Sequence, residues 1–322
     1  NTTNPQDPDL PATIQATIET RNIPKFRFDK FTIGFYLNYS QRYHFTGTDL
    51  QTTANASISL KKPVSVEQFF NNYLFPFKLF LDFATDRENQ FNKVIYFRDN
   101  SESRFLMDIL FKVRQSDNSL QKKDITSVHD LVFIFSDIRD NFQDVYALWL
   151  TKRERIGSVI DLYLTVTQEK VFLSLAIQIV TQALESYHRE MHGGQYMDDG
   201  EYKEVFEALI ASLPDDIDND FKQKLKSGTL KYANEYSQRK RFKELLGSVL
   251  NPIDDYLEKR IGNIGNKEDF IKNVINLRNY YTHLGEDNRA KVQHIISDHR
   301  KFNRYIAKLI NILLACILLE LG

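Results

Sequence analysis

The sequence predicts an α+β protein: a β-rich N-terminal domain with one packed helix over residues 1–138, then an all-α helical bundle over residues 139–322. Three observations carry that expectation. The first part alternates β-branched and aromatic residues with polar ones in short runs. From about Asp140 the apolar residues recur at helical spacing instead. The two parts join without a low-complexity spacer, so the boundary is a change of period.

With 322 residues the chain is long enough for two cores of ordinary size. Its 42% apolar and 26% charged residues are those of a folded globular protein. A formal net charge of -1 excludes wholesale wrapping of nucleic acid by bulk charge but leaves room for a local basic groove. A single cysteine, Cys316, excludes an intramolecular disulfide and suits a reducing compartment, so the expected location is cytoplasmic. The longest apolar stretch, "LINILLACILLEL", is too short to span a bilayer and contains Asn311, so no membrane association is expected. The chain begins at Asn1 rather than Met and shows no signal-like segment, which predicts a piece of a longer protein.

In chain order, "KFRFDKFTIGFYLNYSQRYHFTG" and "TTANASISLKK" read as strands. Aromatics there, such as Phe31, Phe35, Tyr36 and Tyr39, suit a sheet core better than base stacking. A helix opens at "VSVEQFFNNYLFPFKLFLDFAT", with Ser65 as N-cap, Gln68 as its capping-box partner and Pro76 as a kink or break. Strands return at "KVIYFR", "SRFLMDILFKVR" and "DLVFIFSDI". Beyond Asp140, "NFQDVYALWLTKRERIGSVIDLYLTV" predicts one or two helices, and "EKVFLSLAIQIVTQALESYHREMH" a helix buried on several sides that ends at Gly193-Gly194. "DGEYKEVFEALIASL", "DDIDNDFKQKLKSGTL" and "ANEYSQRKRFKELLGSVL" follow as helices. Then come "NKEDFIKNVINLRNYYTHLG" and one long last helix from about Asp287.

The helix "NKEDFIKNVINLRNYYTHLG" carries the chemistry. Asn266 caps it, and Gly285 is expected to end it in a left-handed conformation. At about 100° per residue, Phe270, Val274, Leu277, Tyr281 and Leu284 fall on one core stripe. A second face holds Ile271, Ile275 and Thr282, flanked by Arg278 on one side and by Asn279 and His283 on the other. Isoleucines beside an arginine and a histidine suit a face covered by a second protein surface. A histidine side chain can give or take a proton near neutral pH, and an arginine can grip a phosphate with paired N–H donors. Together they meet the needs of metal-free phosphodiester chemistry. The plainer alternative is a histidine capping carbonyls beside a surface arginine.

"LRNYYTH" is similar to the Arg-Asn-x3-His motif of HEPN domains, helical bundles often found in RNA-cutting toxins and defence nucleases. "FLSLAIQIVTQALESYHREM", "LKYANEYSQRKRFKELL" and "DFIKNVINLRNYYTHLG" resemble successive helices of the HEPN half of ApeA-type anti-phage proteins. "SISLKKPVSVEQFFNNYLFPFKLFLDFAT" resembles the β-rich N-terminal domain of the same group. The resemblance implies an endoribonuclease of abortive infection in which Arg278, Asn279 and His283 are the catalytic motif positions. It implies action on RNA, with transfer RNA the natural candidate, by 2′-hydroxyl attack to leave a 2′,3′-cyclic phosphate. It also implies a homodimer through the motif helix, no cofactor, and an N-terminal domain that senses a phage protein. The alternative is a non-catalytic HEPN module for dimerisation and binding.

Further residues qualify the site. Glu185, on the buried helix, could lock Arg278 or His283 from a neighbouring helix or pair elsewhere. Tyr281 is a candidate supporting residue. Arg239, Lys240 and Lys243 are candidate RNA-backbone contacts, against a solvated face that balances the acidic "DDIDND". His188 and His192 have zinc-compatible spacing but no third ligand, so no metal is assigned.

Overall fold

The computed structural model describes residues 24–44, 47–91, 94–100, 103–109, 131–262 and 264–322. The chain forms two compact units, one ending at Phe69 and the other Phe70–Gly322.

The first unit is a small antiparallel sheet. Strands β1 (Phe26–Arg27), β2 (Phe31–His44) and β3 (Gly47–Leu60) lie in that order, and β2 and β3 run in unbroken register from Phe31 opposite Leu60 to His44 opposite Gly47. Phe26, Phe31 and Ile33 are buried, Phe31 stacks on Phe28, and Phe35 meets Phe26 edge-on. Tyr36 is exposed, and the side chain of Tyr39 lies outside the described residues. Helix α1 (Val66–Phe69) opens with the expected capping box: the Ser65 hydroxyl accepts the Gln68 N–H at 3.1 Å, and the Gln68 carbonyl accepts the Ser65 N–H at 3.1 Å.

The second unit opens with a wide π turn, Phe70–Leu74, before α2 (Phe75–Thr85). Pro76 sits in the first turn of α2, where a missing N–H costs least. Strands β4 (Val94–Asn100) and β5 (Ser103–Ile109) form an antiparallel hairpin. The strand expected over "DLVFIFSDI" is not formed. Asp130 lies outside the described residues, Leu131–Ile134 form a loop, and Phe135–Ile138 form a short helix, α3. Val132 donates its N–H to the carbonyl of Ala84, Asp137 accepts the N–H of Ile134, and the rings of Phe133 and Phe135 pack on Phe80, Phe83 and Phe142. The apolar run therefore covers a helix rather than pairing with a strand.

Helix α4 (Phe142–Gln168) is one helix bent at Ile156. Its Trp149 is fully buried between Phe80 and Phe83 and donates Nε1–H to the Pro76 carbonyl at 3.0 Å. So α2, which the sequence groups with the β-rich part, packs on the first bundle helix. The proposed functional division at residue 138 is a different partition from these packing units.

Helices α5 (Leu173–His192), α6 (Asp199–Ala211) and α7 (Asn219–Lys224) follow, then α8 (Gln238–Glu244) and α9 (Asp254–Ile261). Helix α8 starts five residues later than the periodicity suggests, at Gln238, with Ser237 as its N-cap. Ala233–Tyr236 instead form a clasp with Gly194–Met197, in which the Asn234 side chain accepts from Tyr196 and Met197 N–H groups and donates to the Met197 carbonyl. Helix α10 (Lys267–His283) is capped by Asn266, whose side chain accepts the Asp269 N–H. The single last helix expected from Asp287 is two, α11 (Glu286–Ile296) and α12 (His299–Leu321), because the Asp298 side chain accepts the Lys301 N–H and starts a new helix. Helices α4, α5 and α12 enclose the core, with Ile160, Ile177, Leu184, Leu313 and Cys316 all buried; each large aliphatic contributes about 1.5–3 kcal/mol by leaving water. Helix α10 packs on α5, α8 and α11.

Candidate functional site

The core stripe of α10 is Phe270, Val274 and Leu277, all buried, and Ile271 joins it. That corrects the face assigned to Ile271: the neighbouring helices cover more than one stripe. The stripe also ends sooner than expected. Leu284 is 63% exposed and takes φ 47, while Gly285 takes φ 121 and ψ 148. Positive φ thus begins at Leu284 and continues through the glycine, and neither residue takes left-handed helical angles, since ψ is 176 at Leu284 and 148 at Gly285. This turn throws Leu284 outward beside His283.

Asn279 and Arg278 are half-buried and adjacent: the Arg278 guanidinium donates to the Asn279 carbonyl oxygen at 3.2 Å. Both line a groove of about 350 Å³ between α10 and the start of α8, shared with Lys272, Asn276, Gln238 and Arg239. Arg278 and Lys272 form no ion pair among the described residues, so their charge is available to an anion. His283 is the last residue of α10, is exposed, and does not line this groove. The structure therefore brings Arg278 and Asn279 together and leaves His283 one turn beyond.

Of the candidate basic contacts, Arg239 reaches the groove and also pairs with Glu268 at 3.0 Å. Lys243 pairs with the same Glu268 at 2.5 Å. Lys240 turns away and lies over the rings of Tyr236 and Tyr196, at 3.4 and 4.4 Å from their centroids. Arg241 is buried whereas Arg239 is exposed, so the two point away from each other on α8.

Glu185 does not lock Arg278 or His283. Its carboxylate accepts from Arg189 at 3.3 Å and from Gln238 at 3.4 Å, so it touches the groove only through Gln238. Helix α5 offers it a nearer arginine one turn along. Tyr281 stacks its ring on Phe302 at 5.6 Å, and burial raises its hydroxyl pKa. It anchors α10 to α12 rather than facing the groove. His188 is enclosed: Arg241 donates to its Nδ1, so Nε2 carries the proton given to Glu244 at 2.9 Å. Among the described residues no three His, Cys, Asp or Glu side chains gather as a metal site.

Sequence reasoning missed Lys272, Asn276 and Gln238. A signal for two of them was present. Lys272, Asn276, Asn279 and His283 are spaced four, three and four apart, which makes one polar stripe along α10. Gln238 carried no such signal, because it arrives from another helix.

A helical bundle whose motif helix bears Arg-Asn-x3-His is the arrangement of a HEPN domain. Residues 179–322 match the family described as Apea-like HEPN, and residues 6–149 match ApeA N-terminal domain 1. The chain belongs to the ApeA-type HEPN proteins, a membership that suggests anti-phage defence. No curated protein and no solved structure matches the chain. No helix among the described residues is long and apolar enough to cross a membrane.

Proposed function

We propose that this protein is a metal-independent endoribonuclease of abortive infection, cleaving RNA, with transfer RNA the natural candidate. The observation that carries the reading is the meeting of Arg278 and Asn279 in a cationic groove, with His283 one turn on along the same polar stripe. The 2′-hydroxyl oxygen bonds to the adjacent phosphorus and the P–O5′ bond breaks. A base takes the 2′-hydroxyl proton and an acid protonates the departing O5′; His283 serves one of these roles. Arg278 holds the non-bridging oxygens as charge builds on phosphorus. Asn279, whose carbonyl engages Arg278, keeps its amide N–H groups for a phosphate oxygen or His283. A 2′,3′-cyclic phosphate and a free 5′-hydroxyl result, and DNA resists because it lacks the attacking group.

A homodimer through α10 supplies a second His283 for the complementary proton transfer. Exposed Leu284 supports it. Gln178 donates to the Tyr281 carbonyl at 3.4 Å, which sets the start of α5, with exposed Phe172 just before it and exposed Leu175 in its first turn, beside the same helix end. In this reading residues 1–138 sense a phage protein and release the nuclease, in the cytoplasm, a role supported by family membership and the two-part layout. Digestion of RNA by the purified protein in EDTA tests the chemistry. Cyclic-phosphate products that vanish in a folded His283→Ala protein are expected; strict magnesium dependence, or equal cleavage by that variant, overturns it.

One observation favours a second reading, a non-catalytic binding module: His283 stands outside the groove that Arg278 lines. Sedimentation separates the two. In the module, substituting Arg278 and His283 breaks the dimer; in the nuclease the dimer survives and only cleavage is lost.

A further inference from the structure

Helix α10 separates two hollows. The first is the groove of Arg239, Arg278 and Asn279 against α8. The second, about 420 Å³, lies against α11 and is lined by Asp269, Asn273, Lys291 and His294. Lys272 and Asn276 belong to both, so the hollows meet across a saddle on α10. Arg278, Lys272 and Lys291 supply positive charge along this path, Arg239 being paired with Glu268, and Asp269 is the lone carboxylate among the described lining residues. Lys272 and Lys291 are exposed, and neither forms an ion pair among the described residues. Amide side chains at Asn273, Asn276 and Asn279 stand between the cations, able to donate to phosphate or accept from sugar hydroxyls. A flexible polyanion suits such a path, since its charges repeat along the chain and each phosphate can be met by a separate cation.

We propose that the two hollows form one phosphate-binding track for single-stranded RNA, with Lys272 at its saddle and Lys291 at its far end. The track extends the proposed nuclease site and takes RNA as ligand from that reading. Its role is to hold the strand that flanks the cleaved linkage. Lys272 and Lys291 contact backbone rather than reacting atoms, so they set affinity and salt dependence and not base preference.

The test uses the full chain and a single-stranded 2′-O-methyl RNA oligonucleotide, which lacks the attacking hydroxyl and stays intact. Its binding is followed by fluorescence anisotropy from low to moderate salt. Each lost phosphate contact on a single strand should flatten the log–log salt slope by about 0.7. Lys272→Gln and Lys291→Gln should each flatten it by that amount, the double variant by about twice as much, and Lys272→Arg should keep it. The Lys291→Gln loss should appear only with oligonucleotides long enough to cross the saddle. Circular dichroism confirms that each variant is folded. No binding by the natural protein, or an unchanged slope in both single variants, overturns the track. The outcomes separate from those of the nuclease reading: an unchanged slope with intact RNA cleavage removes the track alone, and a flattened slope without any cleavage of natural RNA removes the nuclease alone.

Discussion

Arg239 and Glu268 meet at 3.0 Å on the rim of the groove, and Lys243 takes the other oxygen of the same carboxylate at 2.5 Å. Hydrogen bonds from Lys243 first and Arg239 second hold the Glu268 carboxyl below its ordinary range. An internal carboxylate thus occupies cations that an RNA phosphate would seek. Glu268→Gln should free them, tighten RNA binding a few-fold and steepen its salt dependence. The depressed pKa means the pairing is complete above the ordinary carboxylate range and lost as pH falls through the folded value. Affinity of the natural protein should therefore rise on acidification, and that of Glu268→Gln should rise less. Anisotropy titrations at several pH values check both.

In the proposed nuclease Arg278 and His283 have different roles and should fail differently. His283→Ala should lower cleavage by roughly 10²–10⁴-fold while RNA binding holds, because a proton-transfer group acts only in the transition state. Arg278→Ala should lower cleavage by about 10²–10³-fold and also flatten the salt slope of binding, since it loses a phosphate contact in both states. Single-turnover rates and equilibrium binding, measured side by side, decide whether the split exists.

Trp149 is the only tryptophan of the chain and joins α4 to α2 through the Pro76 carbonyl. Its emission reports on that junction and should shift to longer wavelength when the aromatic cluster opens. Trp149→Ala should cost about 3–5 kcal/mol through the cavity it leaves. Trp149→Phe should cost less and leave the Pro76 carbonyl without its donor. Urea unfolding followed by circular dichroism measures both.

His188 should make the bundle acid-sensitive. Burial lowers its pKa most, with Arg241 and His192 adding to the effect and Glu244 opposing it. A depressed histidine pKa stabilises the fold above the unfolded value, near 6.5, and that stability is lost as pH falls toward the folded value. Unfolding midpoints should drop between pH 7.5 and 5.5, at most about 1.4 kcal/mol per pH unit for one proton. His188→Gln can accept from Arg241 and donate to Glu244 without titrating, so it should remove most of that dependence. A variant with the same pH profile as the natural protein would assign the effect elsewhere.

Local chemistry was legible in the sequence. Ser65 and Gln68 cap as their spacing requires, Asn266 starts its helix, and the buried face of α10 follows the 3.6-residue period through Leu277. Asn279 and His283 are candidates by sequence alone because a four-residue offset on a helix is itself geometry. Tertiary structure alone decided the rest. It made "VFIFSDI" a cover for Phe80 and Phe83, because a ring cluster there outweighs β propensity. It sent Glu185 to Arg189, broke the last helix at Asp298, and brought Gln238 and Arg239 from a distant helix to face Arg278. The physical reason is range. Caps, periods and motif spacings act within a few residues, whereas the partner of a charge or a ring is set by which helices meet, and that is written in no single stretch of chain.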